Sequence, residues 1–329
     1  MAEIRVALLG FGNVGRSFAR AVSQSAPGIR IAAAADSSGG LLLSGPEDLE
    51  RALAAKQSNQ PLAALGAADP SSFVDTVARA GIALLVEALA SGLADGQPGL
   101  DLVRAALRKG IDVVTVDKAP LVRGLDLLDG DSRGSGALLR ASGTTGVAPP
   151  PELARGTVLE IRGVLNGTTN AILTSMQDGA LRFEEALVHA VAAGMAEPDP
   201  RLDVEGWDSA AKILILSQLL MKGSASLEEV ARIGIGPAVE PLVEHARRTG
   251  GRVRLVARAR TWQGRLRLSV APKVVAPDSP FHAVAGTSKA AVFRTAEGEI
   301  VARGSSGRDA IAEVIVQDIL EIERRRRHA

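Results

Sequence analysis

Apolar residues arrive along this chain in runs of two kinds. IRVALL from Ile4, IRIAAAAD from Ile29, IALLVEAL from Ile82 and IDVVTVDK from Ile111 are short and nearly continuous, as in parallel strands buried on both faces. NVGRSFARAV after the first run reads as a helix, and GLDLVRAALRKG as an amphipathic helix stopped by Gly110. The segment up to Ala80 reads as helices and a connecting loop. Strand and helix alternate in this half, which predicts an α/β fold. From Gly134 to Pro151 glycine, threonine and proline dominate, ending ASGTTGVAPPP. Apolar strands flank this stretch, so it reads as a crossover between domains rather than a disordered linker.

The second half has another rhythm. VLEIRGVLNGTTNAILTSM predicts a strand, a turn over Asn166 to Asn170, and a helix. ILILSQLLM, starting at Ile213, is apolar on nearly every side and predicts a helix packed within its domain. RVRLVARART and RLRLSVAPKVV alternate apolar with basic residues, as antiparallel strands with one exposed or subunit-facing side. HAVAGTSKAAVFRT and GEIVARG add two strands. Gly304-Ser305-Ser306-Gly307 is a turn, and RDAIAEVIVQDILEIERRRRH a closing helix whose arginines suit a helix C-terminus.

Candidate chemistry begins at the first strand-to-helix turn. Gly10, Gly12 and Gly15 give G-x-G-x-x-G directly after a strand, with Asn13 and Val14 between the last two glycines. The first glycine makes the turn, the second admits a pyrophosphate, and the third lets helix pack on strand, which predicts a Rossmann-type dinucleotide site, the alternative being a glycine turn of packing value only. Asp36, ending the second strand, stands where an acid binds a ribose 2′-hydroxyl. An acid there favours NAD over NADP, a preference that Lys56 and other cations downstream soften. Glu87 to Ser91, including Ala90, falls at the carboxyl edge of the sheet, and IDVVTVDK delivers Lys118 to the same edge. Lys118 is either a plain strand-end cation or a contact to cofactor or substrate.

The densest polar stretch is EPDPRLDVEGWDSAAK, from Glu197 to Lys212. Five carboxylates and two cations share sixteen residues, and two prolines are expected to hold the first half extended. Asp208 and Lys212 stand four apart, so on a helix they share one face. Leading into a buried helix, such a pair must meet each other or a ligand, because an unpaired buried charge is costly. Taken alone it is also what any surface helix offers. At Asn166 to Asn170, simple helix capping competes in the same way with ligand binding.

Composition narrows the classes. Lysine and arginine number 38 against 37 acids, a formal net charge of +1, so nothing argues for a nucleic-acid surface. No apolar run reaches the roughly 18 residues of a membrane span, and no signal peptide is seen at the N-terminus. Cysteine is absent, which removes disulfides, thiolate metal sites and a cysteine nucleophile. The four histidines are scattered without metal-ligand spacing. A soluble intracellular protein, cytoplasmic and without nucleic-acid or membrane partners, is expected.

With these pieces placed, the sequence resembles the homoserine dehydrogenases over nearly its whole length. VLNGTTNAILTSM (164–176), AEPDPRLDVEGWDSAAK (196–212) and TVDKAPL (115–121) carry the resemblance, in the family's order and spacing. AVAGTSKAAVFRT and GSSGRDAIAEVIVQDIL resemble its closing strands and helix more loosely. The resemblance implies an α/β protein: a Rossmann-type nucleotide-binding domain over 1–138, then an α+β substrate-binding and dimerisation domain over 139–304. The helix 305–329 would pack back on the first domain, and the sheet of the second would pair with another subunit in a homodimer. By position, the resemblance makes Asp208 and Lys212 the catalytic pair, with Lys118 as a further catalytic or cofactor contact. Glu197, Asp203, Gly167 and Thr168 fall where the substrate is held. The chain ends at that closing helix, so a regulatory domain and threonine feedback through it are not expected.

Three departures stand out. Members carry a glutamate, associated with a bound monovalent metal ion, before a glycine-rich crossover; here Arg140 holds that place and the crossover reads GTTGVAP. An arginine can itself supply the cation's charge, so no metal is carried over. Met195 stands where an aromatic residue is common, and Ser305, Ser306 and Arg308 replace glycine and alanine in the closing turn. The activity implied is reversible, NAD(P)-dependent interconversion of L-homoserine and L-aspartate 4-semialdehyde. Three other readings stay open: a related dehydrogenase of another small amino or oxo acid, a non-catalytic dinucleotide-binding paralogue, and a structural subunit with a nucleotide-stabilised fold.

Overall fold

The computed structural model describes residues 3–66, 69, 72–150, 152–153, 157–197, 199–221, 224–305 and 307–328. Pro151, Pro198 and Ser306, which enter the expectations above, lie outside them. The chain divides into two compact units, one of 1–144 with 307–329 and one of 145–306.

The first unit is built on six strands: β1 (Ile4–Leu9), β2 (Ile29–Asp36), β3 (Gly39–Leu42), β4 (Leu84–Glu87), β5 (Asp112–Thr115) and β6 (Leu139–Arg140), in the order β3-β2-β1-β4-β5-β6. All pairs are parallel except the β2–β3 edge. β3 was not expected; Gly39 and Gly40 hide it, and the Phe73 ring lies against Gly40 where a Cβ would stand. Helices α1 (Asn13–Ser25), α2 (Pro46–Gln57), α3 (Phe73–Arg79), α4 (Gly99–Arg108) and α5 (Lys118–Ser135) follow the strands. The run IDVVTVDK therefore does not stay a strand to its end. It stops at Thr115, Asp117 caps α5 by accepting from the Ala119 amide, and Lys118 is the first helical residue. α5 also runs into the stretch expected to be crossover, as far as Ser135.

The core of this unit packs Val6, Leu8, Phe11, Phe18 and Ile31 against Ala312, Ile315, Ile319 and Ile322 of the closing helix. Burial of side chains of this size supplies about 1.5–3 kcal/mol each. Polar ties reinforce the helix: Arg326 bonds Asp112, and Asp318 accepts from the Ser142 amide and hydroxyl at 3.0 and 2.7 Å.

The second unit has a sheet ordered β12-β11-β7-β9-β10-β8, from β7 (Glu160–Val164), β8 (Ala231–Arg232), β9 (Arg252–Trp262), β10 (Arg265–Val275), β11 (Lys289–Arg294) and β12 (Glu299–Gly304). Every pair is antiparallel except β8 with β10. Its helices are α6 (Gly167–Asp178), α7 (Phe183–Ala192), α8 (Arg201–Val204), α9 (Trp207–Met221) and α10 (Glu240–Thr249); the closing helix of the first unit is α11 (Arg308–His328). The two-residue strand β8 is too short to leave a periodic signal. Within the half expected to be extended, Arg201–Val204 is instead a single helical turn, α8, preceded by Pro200, since a proline restrains the residue before it and leaves those after free to coil. α9 is buried continuously from Ser209 to Ser217, as its apolar pattern requires. Among the described residues no helix is long and apolar enough to cross a membrane.

Candidate active site

In the first unit the glycine turn joins β1 to α1, and each glycine stands there for a different reason. Gly10 has φ +101°, and a Cβ on it would lie 2.5 Å from the carbonyl group of Ala88. A Cβ on Gly15 would lie 2.0 Å from the Gly10 carbonyl oxygen, so only glycine lets α1 sit on the turn. Gly12, at the α1 N-cap, faces open space, and the amide groups of Asn13 and Val14 follow it. This is the shape of a pyrophosphate cradle, at the end of a helix that favours negative charge.

Asp36 lies beyond the same sheet edge and is already engaged. Its carboxylate accepts from Lys56 Nζ at 2.7 Å, from the Ser38 amide and hydroxyl at 2.8 and 2.5 Å, and from the Leu62 amide at 3.2 Å. Burial alone would raise its pKa; the bonds from Lys56, Ser38 and Leu62 outweigh burial and hold it down at about 2. Arg16 is close by, bonded to Asn13 Oδ1 at 2.7 Å and to the Lys56 carbonyl at 3.1 Å. An ionised acid and a lysine therefore stand together where the ribose is expected.

At the ends of β4 and β5 lies a buried pair of acids. Glu87 is fully buried; it accepts from the Leu89 amide at 2.8 Å and the Thr115 hydroxyl at 2.5 Å. Asp117 accepts from the Ser91 amide at 2.8 Å and the Ala119 amide at 3.1 Å. Ala90 is exposed between the two tethered amides, and Lys118 is half-buried next to Asp117. Burial, then the Asp117 charge, push the Glu87 carboxyl up to about 8 against its two hydrogen bonds. Nothing in the sequence around Glu87 distinguished it as an acid kept neutral.

In the second unit, helical geometry brings Asp208 and Lys212 into contact. Lys212 Nζ donates to Asp208 Oδ2 at 2.5 Å and to the Leu165 carbonyl at 3.0 Å, and the lysine is 6% exposed. Trp207, at the start of α9, is held by Glu205 through its indole N–H at 3.1 Å and by the Arg232 guanidinium 3.6 Å above its ring.

Asn166 ties this pair to a third acid. Its Nδ2 donates to Asp203 Oδ1 at 2.5 Å and Asp208 Oδ2 at 2.8 Å, while its Oδ1 caps α6 by accepting from the Thr169 amide at 2.7 Å. The capping expected from the sequence is thus present at one end of this side chain, and the other end ties two acids together. Burial, then the Asp208 charge, raise the Asp203 pKa; bonds from Asn166 and Thr168 and the Lys212 charge only partly offset them. Gly167 and Thr168 open α6 here, and the Thr168 hydroxyl also donates to the Met195 carbonyl at 3.1 Å. Glu197 is exposed and stands outside this network among the described residues. For Asn166 the sequence offered capping or ligand binding, and its link between Asp203 and Asp208 was not foreseen; the signal was an amide side chain at a strand-to-helix junction.

The sequence and the fold are similar to those of known proteins. The family model described as homoserine dehydrogenase matches residues 151–320. A homoserine dehydrogenase of Methanocaldococcus jannaschii is 30% identical over 334 residues, spanning 96% of this chain and 98% of the relative. An NAD(+)-dependent homoserine dehydrogenase of Pseudomonas canavaninivorans is 30% identical over 346 residues, spanning 98% and 97%. A crystal structure of a putative homoserine dehydrogenase from Archaeoglobus fulgidus superposes with a TM-score of 0.85 at 29% identity, over 97% of this chain and 99% of that one.

Proposed function

Since the chain belongs to the homoserine dehydrogenase family, we propose that Lys212 moves the proton at the reacting oxygen and that Asp208 holds it there. The protein is an oxidoreductase acting on a CH–OH group, interconverting L-homoserine and L-aspartate 4-semialdehyde with a nicotinamide dinucleotide. The cofactor, when bound, supplies or takes up the hydride. What this chain contributes is charge and position. As the aldehyde is reduced, negative charge develops on its oxygen and needs a donor. An ammonium has three protons, and two of those on Lys212 go to Asp208 and the Leu165 carbonyl. That anchoring aims the third at the substrate oxygen; in the other direction the hydroxyl proton passes to Nζ.

Asp203, with Gly167 and Thr168 at the α6 N-terminus, suits the amino-acid end of the substrate, and Glu197 is a further contact for its ammonium. Gly10, Gly12, Asn13, Val14 and Gly15 hold the pyrophosphate, Asp36 the adenosine ribose, and Ala90 and Lys118 lie toward the nicotinamide. We place NAD ahead of NADP because Asp36 stays ionised, and a 2′-phosphate would meet that charge; Lys56 tempers the preference. A cytoplasmic homodimer fits this reading.

The observation that carries the proposal is the buried Asp208–Lys212 pair anchored to the Leu165 carbonyl beside Asn166. Its test is NAD(P) reduction by L-homoserine at alkaline pH, with Lys212→Met in parallel. Removing a proton-transfer group lowers kcat by about 10²–10⁴-fold. Near-full turnover in the variant would remove Lys212 from the chemistry.

A further inference from the structure

The family's crossover is associated with a bound monovalent metal ion, and an arginine in place of the family's glutamate does not fit one. Among the described residues no group of three or more His, Asp or Glu side chains is placed to hold a metal. Arg140, in the family's glutamate position, is itself a cation; within the first unit it pairs with Glu321 at 3.2 Å. A guanidinium cannot ligate a metal ion.

Within the second unit another cation reaches the crossover. Lys289 opens β11 and is 4% exposed. Gly146 of the GTTGVAP turn has φ +67°, and Lys289 Nζ lies 2.4 Å from where its Cβ would stand, with Lys289 Cδ at 3.2 Å. The Ser305 carbonyl oxygen is 3.2 Å from that same point. Gly304, the β12 partner of Lys289, is equally confined: the Gly146 carbonyl oxygen lies 1.9 Å from the position of its absent Cβ. A side chain at Gly146 would fill the space the ammonium enters, and one at Gly304 would displace the Gly146 carbonyl. Gly146 therefore lets a buried lysine head approach the backbone of the crossover, and Gly304 lets the end of β12 lie against that same turn. Carbonyl oxygens are the donors a hard cation takes, and they are also acceptors for an ammonium.

We propose that the Lys289 ammonium is the crossover's built-in monovalent cation, replacing the exchangeable metal ion of the family. The charge is covalently attached, so the protein needs neither Na+ nor K+ for stability or turnover.

The test compares Tm and kcat in KCl, NaCl, NH4Cl and choline chloride at constant ionic strength, for the full chain and for Lys289→Ala. The wild type should respond equally to all four salts. Lys289→Ala should lose Tm and kcat in choline and recover part of both in NH4Cl or KCl, because the truncated side chain leaves room for a free cation. A wild-type Tm or kcat that rises in KCl or NaCl over choline overturns the proposal. So does a folded Lys289→Ala that matches the wild type in choline, or one impaired equally in every salt. Where Lys289→Ala does not fold, the wild-type salt series alone decides. The Tm arm needs no turnover, so it stands even if the reaction assignment fails.

Discussion

Replacing Asn166 by serine separates the two jobs of that side chain. Its amide donates to Asp203 at 2.5 Å and to Asp208 at 2.8 Å, so the two acceptor oxygens lie within ~5 Å of each other, where like charges repel by ~3 kcal/mol at an effective dielectric constant of ~20. A hydrogen bond to a charged group contributes about 1.5–3 kcal/mol. The Asp208 side chain is 13% exposed, so solvent weakens both terms and a total of ~1.5–3 kcal/mol is the appropriate scale. Burial and Asp208 already raise Asp203, and losing the donor raises it further. At about 1.36 kcal/mol per pH unit, the acid limb of the pH profile of kcat/KM should move up by about one to two units. Serine keeps an acceptor at the α6 N-cap, so the helix should be little affected. The assay is homoserine oxidation followed by cofactor absorbance from acid to alkaline pH, with Tm as the folding control. An acid limb that stays in place in a folded Asn166→Ser variant would refute the idea that this amide helps to set the ionisation of Asp203.

Two more outcomes follow from the first unit. Lys56→Gln removes the ion pair from Asp36, so the ratio of kcat/KM for NAD to that for NADP should rise about tenfold, equivalent to ~1.4 kcal/mol; Asp36→Ala should lower it, and a ratio unchanged in both variants rules out the pair as the selector. Glu87 is raised in the fold to about 8 from an ordinary 4.5, so its contribution to stability is complete below the ordinary value and is lost as pH rises through about 8. Glu87→Gln keeps a neutral group there and should flatten that loss, giving a Tm above wild type at about pH 9 but not at about pH 4; parallel Tm curves would mean that Glu87 is ionised in the folded protein.

Much of the architecture could be read from local pattern because it is made by neighbours in sequence. The glycine turn needs Gly10 and Gly15 because residues five apart meet there, 2.0 Å from a Cβ to the Gly10 oxygen. Asp208 and Lys212 meet because α-helical geometry places residues four apart on one face. α9 is buried from Ser209 to Ser217 because the run from Ile213 is apolar on nearly every side. Where local pattern misled, the cause was also local. Pro200 suggested extension but only precedes a helical turn, and β3 is too glycine-rich to show a strand period.

What decided the chemistry lay beyond that reach. Asn166 meets Asp203 and Asp208 across 37 and 42 residues, and Lys212 finds the Leu165 carbonyl across 47. Asp36 meets Lys56 across 20 residues, and Glu87 meets Thr115 across 28. Sequence determined which side chains were available, their charge, and the periodic surfaces that form helices and strands. Whether an acid is ionised, tethered or kept neutral depends on how much water the folded chain removes and which distant donor it brings within 3 Å. Both are properties of packing between segments far apart in the chain, so only the tertiary structure decides them.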